Sequence, residues 1–320
     1  MANTTFETYG TVGIREDLAD IIYNIAPTDT PFISNVGKGS ASGTYHEWQT
    51  DDLTAAADNK VAEGVAAPAA ESVATTRVGN YTQIASKTVS VTGSNEAADA
   101  AGRASQMAYQ LAKKGMELKR DMEKTLVGTD KAQSAGVAAG GSQAPRELGS
   151  VTSWIGTNCS VGATTGAVPT GDGTDIATSG DARPLTDTLL NGVIEDIWQA
   201  GGNPSMIMCG AFQKSKITGF EGNTNTARKF TDAESKKFIN AVDVYVSDYG
   251  ELNVVPNRLM LTDTLLVLQP DMWSVDTYRD FQTKDLAVTG DFESKQLLVE
   301  YTLTSKNEAA SGAIRDLTTA

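Results

Sequence analysis

The sequence predicts an α+β fold with parts that stand out from its body, and three observations carry that prediction. Residues 37–93 alternate as strands on either side of a tip, Thr54 to Ala74, that contains nine alanines and no large side chain. From Ser94 to Gly128 the chain reads as a single helix of about 30 residues, roughly 45 Å long. Residues 186–260 mix helices with buried strands, and residues 261–320 are mainly strands.

Taken in order, the first 36 residues read as an arm. Leu18, Ile21, Ile22 and Ile25 fall on one face of a helix that begins at Asp17 and is closed by Pro27. Thr28-Asp29-Thr30-Pro31-Phe32 then reads as extended. In the hairpin, Tyr45, Glu47 and Gln49 alternate with His46, Trp48 and Thr50 on the outgoing limb. Tyr81, Gln83, Ala85, Lys87, Val89 and Val91 alternate with Thr82, Ile84, Ser86, Thr88 and Ser90 on the return. The tip between them carries Lys60, Glu63, Gly64 and Pro68, and a loop so poor in bulk has no means of forming its own core. The long helix takes Ser94 or Asn95 as its N-cap, Glu96 and Asp99 in its first turn, and Gly128 past its end. Ala97, Ala101, Ala104, Ala108, Leu111, Gly115, Leu118 and Met122 make one narrow stripe, small enough at its start to pack closely on a sheet.

Residues 128–184 are rich in Gly, Ala, Ser and Thr and read as a loop, a strand near Trp154 and a surface insertion from Cys159 to Asp181. Thr186 to Ala200 is a helix with Leu189, Leu190, Val193, Ile194 and Ile197 on one face and Gly201-Gly202 closing it. Ser205 to Cys209 is a buried strand and Ala211 to Thr218 a short helix ended by Gly219. Thr231 and Glu234 have capping-box spacing for another short helix. Val242, Val244 and Val246, the Asp248-Tyr249-Gly250 turn and Leu252 to Val255 make a hairpin. Strands follow at Leu265–Leu268, Trp273–Tyr278 and Gln296–Thr304, with a closing turn of helix in Asn307–Ile314. The resulting division is 1–36 arm, 37–93 hairpin, 94–158 helix region, 159–185 insertion, 186–260 α/β unit and 261–320 return strands.

Composition narrows the functions. Hydrophobic residues make up 40% and charged residues 21%, a globular balance, and 26 basic against 40 acidic residues give −14. That sign argues against a whole-surface nucleic-acid binder, because phosphate neutralisation needs clustered cations. The 2 cysteines, Cys159 and Cys209, permit neither a four-thiolate metal site nor a disulfide framework, so a reducing compartment is expected. No stretch of 18 apolar residues and no signal-like N-terminus is present, so no membrane is expected. The N-x-[ST] matches at Asn3, Asn80 and Asn158 therefore carry no glycosylation reading.

The catalytic inventory is equally bare. The single histidine, His46, sits in a strand beside Tyr45 and Trp48, with nothing nearby to make it the base of a triad. Phosphate-loop, zinc-helix and calcium-loop motifs are missing. Asp172-Gly173-Thr174-Asp175 reads as a turn, and Gly39-Ser40-Ala41-Ser42-Gly43 has alanine where a nucleophile elbow needs serine. The expectation is no catalytic residue, no cofactor and no metal.

An arm, a long hairpin with a coreless tip, a very long helix, an α/β unit and a returning sheet, in that order, resemble the tailed-phage major head protein of the Hong Kong 97 capsid fold. The resemblance runs through Thr30-Pro31-Phe32, Glu47-Trp48 with Asp51 or Asp52, Glu63-Gly64, Asn80-Tyr81-Thr82-Gln83-Ile84 and Val89-Ser90-Val91-Thr92. Further along it includes Ile197-Trp198-Gln199-Ala200-Gly201-Gly202, Tyr245-Val246-Ser247-Asp248-Tyr249-Gly250, Thr289-Gly290-Asp291 and Glu300-Tyr301-Thr302-Leu303. It implies an N-arm, an E-loop hairpin, a spine helix, a P-domain sheet and an A-domain. It also implies a non-enzymatic subunit that forms hexamers and pentamers, closes an icosahedral head around double-stranded DNA without binding it specifically, and resides in the virion after assembly in the host bacterial cytoplasm. The partners implied are identical subunits, a portal, a possible decoration protein and, because the chain starts only a few dozen residues before its hairpin, a separate scaffolding protein. Trp48, Lys60, Glu63, Arg77 and Tyr81 are the candidate inter-subunit contacts. Some members of the family crosslink a hairpin lysine to a neighbour's asparagine; Lys60 reads here as a solvated lysine. The alternatives are the shell of a bacterial nanocompartment, which shares the fold, a fibrous surface protein, and a carboxylate hydrolase.

Overall fold

The computed structural model describes residues 28–51, 53–54, 56–64, 66, 74–98, 105–136, 144–220 and 243–319. Six α-helices are described: α1 Pro31–Asn35, α2 Gly93–Ala97, α3 Gln106–Val127, α4 Val151–Trp154, α5 Asp187–Gln199 and α6 Ala211–Thr218. The strands are β1 Gly37–Ser40, β2 Tyr45–Thr50, β3 Thr76–Tyr81, β4 Gln83–Thr92, β5 Cys159–Ser160, β6 Met206–Cys209, β7 Val244–Ser247, β8 Gly250–Pro256, β9 Leu265–Leu268, β10 Trp273–Asp285, β11 Phe292–Ser305 and β12 Gly312–Ile314. They form a four-stranded sheet in the order β1-β10-β11-β4, a six-stranded sheet β5-β12-β9-β6-β8-β7, and a two-stranded ribbon β2-β3. The arm helix expected at Asp17–Ile25, the capping box at Thr231 and Glu234, and Val242 lie outside the described residues.

The six-stranded sheet shows why its central strands read as unbroken apolar runs. Met206-Ile207-Met208-Cys209 and Leu265-Leu266-Val267-Leu268 are buried throughout because both faces are covered. Met206, Met208, Leu266, Leu268 and Ala313 point into a core shared with α3, Trp154, Trp273, Tyr301 and Leu303. Ile207, Cys209, Leu265, Val267 and Ile314 point the other way, onto Leu190, Val193, Ile194 and Ile197 of α5. The period of two thus splits one sheet between two cores. Helix α5 starts where expected, with the Thr186 hydroxyl accepting from the Leu189 amide at 3.3 Å.

Several local expectations change. The single long helix is replaced by α2 and α3: Ala98 is extended, at φ −73° and ψ 133°, and a new N-cap forms at Ser105. The Ser105 hydroxyl accepts from Ala108 N at 3.2 Å and the Glu96 carboxylate from Met107 N at 3.0 Å, so Glu96 caps the second helix across the break. Those bonds hold the Glu96 carboxyl below its ordinary range, the Ser105 hydroxyl contributing most. The segment around Pro31 is helical rather than extended, because Pro31 occupies the first turn of α1 and the Glu123 carboxylate receives the Phe32 and Ile33 amides at 2.7 and 3.0 Å. Trp154 ends the short helix α4, closed where Ser150 O accepts from the amide and hydroxyl of Ser153 at 3.0 and 2.8 Å. Asn307–Ile314 divides into a 3-10 turn, Glu308–Ala310, and strand β12 inside the sheet.

The Cys159–Asp181 segment is fastened along its length. Strand β5 pairs with β12, Gly162 N donates to Asp316 Oδ2 at 2.8 Å, and Gln133 N donates to Gly173 O at 2.7 Å. Gly173 has φ +77°, and a Cβ there would lie 2.7 Å from the Trp154 ring, so glycine is required for both reasons. Asp172 forms the expected turn, its Oδ1 accepting from Thr174 N at 2.9 Å. Strands β10 and β11 extend beyond their expected ends as a twisted hairpin, with register shifts on either side of Arg279 that interrupt the alternation.

Glu123 is fully buried and also accepts from Asn257 Nδ2 at 2.7 Å. Burial raises its carboxyl above the usual 4.5, against the three donors that pull it down. The folded state therefore holds this proton to higher pH than the unfolded chain, and the associated stability is full below about 4.5 and declines as pH rises through the raised value. Glu123→Gln removes that dependence and costs about 2 kcal/mol by setting an amide group against a backbone N–H. Urea unfolding of both proteins from pH 4 to 7 checks this: the wild-type advantage should shrink as pH rises.

Candidate inter-subunit site on the β2–β3 ribbon

The ribbon leaves the body where β3 ends and β4 begins. The expected return limb is split there: Thr76–Tyr81 pairs with Tyr45–Thr50, whereas Gln83–Thr92 pairs with β11 in the four-stranded sheet. Thr82 is the junction. Its amide donates to Thr44 O at 2.9 Å and its hydroxyl to Glu300 Oε1 at 2.8 Å. Asn80, fully buried, donates from Nδ2 to Leu303 O at 2.8 Å and accepts from Gly149 N at 2.9 Å, serving as a clamp between the ribbon, β11 and the segment before α4. Thr302 Oγ1 donates to Tyr81 O at 3.0 Å. The Asn80–Ile84 motif thus spans the attachment of the ribbon.

Glu300 sits at the centre of that attachment and is only 1% exposed. Arg146 Nη2 binds its Oε1, and Arg279 Nε reaches Oε2 at 2.7 Å. Two guanidinium groups and a hydroxyl compensate the buried charge. Nearby, His46 Nε2 lies 3.3 Å from Asp276 Oδ2, joining β2 to β10, and Thr304 Oγ1 donates to the same oxygen.

The sequence-selected contact residues fall in three places. Arg77 and Tyr81 lie on the outer face of the ribbon: Arg77 Nε is 3.0 Å from Glu47 Oε1, and the Tyr81 ring centroid is 4.5 Å from that of Tyr45. Between them Gly79 gives room to Tyr45, whose ring would be 2.9 Å from a Cβ at that position. Burial, and next the neighbouring Tyr81, raise the Tyr45 phenol above its usual value. Trp48 turns to the inner face and packs, half-buried, against the body core, 5.3 Å from the Trp154 ring. Lys60 and Glu63 stand exposed at the tip, Lys60 Nζ 2.5 Å from Asp58 Oδ2. The structure therefore gathers Arg77 and Tyr81 and separates them from the other three.

Sequence reasoning missed Glu300, Arg146, Arg279 and the clamp role of Asn80. The available signal was a carboxylate inside the apolar alternation of residues 296–304, a position that demands a cation.

Among the described residues, no group of three or more His, Cys, Asp or Glu side chains is placed to hold a metal ion, and no helix is long and apolar enough to cross a membrane. Burial pushes the Cys159 thiol up to about 11 and the Cys209 thiol up to about 12, which keeps both protonated and unreactive near neutrality.

This architecture is shared with viral shell subunits. The capsid asymmetric unit of cyanophage A-1(L) superposes with a TM-score of 0.68, covering 98% of this chain and 99% of that one at 11% identity. A gene-transfer-agent particle capsid gives 0.61 over 97% and 98%, at 8% identity. The satellite phage P4 procapsid, solved with its size determination protein, gives 0.56 over 92% and 93%, at 9% identity. These likenesses establish the Hong Kong 97-type fold. In sequence, the chain is 28% identical over 352 residues to the major capsid protein of Escherichia phage Phieco32, covering 98% of this chain and 97% of that protein. The model of the SU10 major capsid protein family matches residues 2–318, and the chain belongs to that family. It is a phage major capsid protein, a structural component of the virion shell.

Removing the charge at Glu300 tests the attachment. Glu300→Gln strands two guanidinium groups and should cost about 3 kcal/mol. The check is the denaturation midpoint of the unassembled chain, together with the Arg146→Ala and Arg279→Ala variants. The double variants should lose less than the sum of the single losses.

Proposed function

We propose that the chain assembles as hexamers and pentamers of identical subunits into a closed icosahedral head that encloses phage double-stranded DNA. The observation that carries this reading is the ribbon, beyond whose strands Leu53 is 99% and Val61 62% exposed. An isolated subunit gains nothing from such an extension, whereas a neighbour covers it. Lys60, Glu63, Arg77 and Tyr81 are the contacts it offers, and half-buried Trp48 sets its angle on the parent body. Interfaces of about 1,600 Å² are weak enough to be corrected during growth and strong enough in number to hold a closed shell.

In this reading residues 1–36 are the N-arm, 37–93 the E-loop region, 94–158 and 261–320 the P-domain, 159–185 an insertion and 186–260 the A-domain. At −14 per copy the subunits do not condense DNA, and screening over about 8 Å keeps their mutual repulsion tolerable. DNA therefore enters through a portal by the work of a separate motor. A separate scaffolding protein sets the shell's size, a decoration protein is a possible outer partner, and the subunit has no catalytic role. Assembly takes place in the bacterial cytoplasm.

Deleting Thr54 to Ala74 should leave a folded, soluble subunit that forms no closed shells, seen by circular dichroism and negative-stain microscopy. Normal shells from the deletion would refute the ribbon's role. Nuclease-protected DNA in purified native particles supports a head, whereas a co-purifying enzyme without DNA would favour a nanocompartment.

A further inference from the structure

Helix α3 is fixed by Leu118, Met122 and Leu126, which it lays into the main core, so the residues on its opposite side are held at set positions. At about 100° per residue that side carries Lys113, Arg120 and Lys124, all within about 20° of one line. Lys113 and Lys124 are exposed and Arg120 is half-buried. The acids beside them are engaged elsewhere: Glu117 Oε2 is 2.7 Å from Lys114 Nζ, and Asp121 Oδ2 is 2.6 Å from Lys87 Nζ. Glu123, the remaining acid of the helix, is buried against α1. Among the described residues none forms an ion pair with Lys113, Arg120 or Lys124. The stripe is therefore a line of unpaired positive charge on a subunit whose net charge is −14.

We propose that this face of α3 is turned to the interior of the shell and rests on the phosphate backbone of the enclosed duplex, an inference that depends on the DNA-filled head proposed above. From Lys113 to Lys124 the helix rises about 17 Å, which spans about five phosphate steps of one strand. Arg120, between them, is the residue type suited to the paired oxygens of a phosphate. A second copy is the poorer occupant. Protein interfaces centre on apolar residues and are depleted of charge at that centre, whereas Met116, at 41%, is the one large apolar side chain that α3 exposes. Phosphate contacts position a duplex and read no sequence, so a short stripe repeated on every subunit serves DNA of any sequence.

The test compares native DNA-filled particles with the same particles emptied of DNA, each labelled briefly with a lysine-acylating reagent and mapped by peptide mass spectrometry. Lys113 and Lys124 should gain reactivity at least threefold on emptying, with Lys60 as the internal reference. Equal protection in both samples would assign the face to a neighbouring subunit, and equal reactivity in both would place it outside the shell. Either result overturns the proposal and leaves the DNA-filled head standing. Purified particles that hold no nuclease-protected DNA would refute the head itself, and the proposal would fall with it.

Discussion

Strand β11 is the constraint on which the rest of the molecule rests. It is paired along both edges, with β10 on one side and β4 on the other, and from it rise Tyr301 and Leu303 into the main core. The same few residues supply what the ribbon needs: the Glu300 carboxylate, the Thr302 hydroxyl and the Leu303 carbonyl. A projection that lacks a core can be aimed only if its base is held by something that has one. The energetic asymmetry of buried polar groups makes that base specific, because any other register would strand Glu300 between its arginines or leave Asn80 unsatisfied.

The two sheets answer different demands. The central strands of the six-stranded sheet, β6 and β9, are covered on both faces and built from residues that pack. The four-stranded sheet holds one face to the core and carries the ribbon at its margin. Between them α3 lays Leu118, Met122 and Leu126 into the shared core, while Glu123 reaches from the same helix to α1 and to Asn257. One helix thereby ties α1, the shared core and Asn257 together. That is the rigidity expected of a part repeated many times in a closed shell.

Legibility in the sequence followed the range of the interactions. Strands β6 and β9 and helices α5 and α6 were readable because continuous apolar runs and a 3.6-residue period are local signals. Local patterns hid what distant partners decide. Pro31 looked extended until Glu123 supplied the acceptor for α1, and the alternation from Tyr81 to Val91 continued smoothly through Thr82 although its hydrogen-bonding partner changes there. The bulges around Arg279 disguised half of β10, since a register shift moves side chains to the other face. Of the site, the strand character of Tyr45 to Thr50 was legible as local alternation. The buried knot at the ribbon's base was not, because Glu300, Arg146 and Arg279 are ordinary surface types until the fold brings them together.

The placement of the two thiols has a further meaning. Cys159 lies on β5 and Cys209 on β6, with β12 and β9 between them, a separation of about 14 Å that no intrachain disulfide can bridge. Each is also held in its neutral, sluggish form. Cohesion in this subunit therefore owes nothing to a disulfide between them, and passage from a reducing to an oxidising medium joins no such pair.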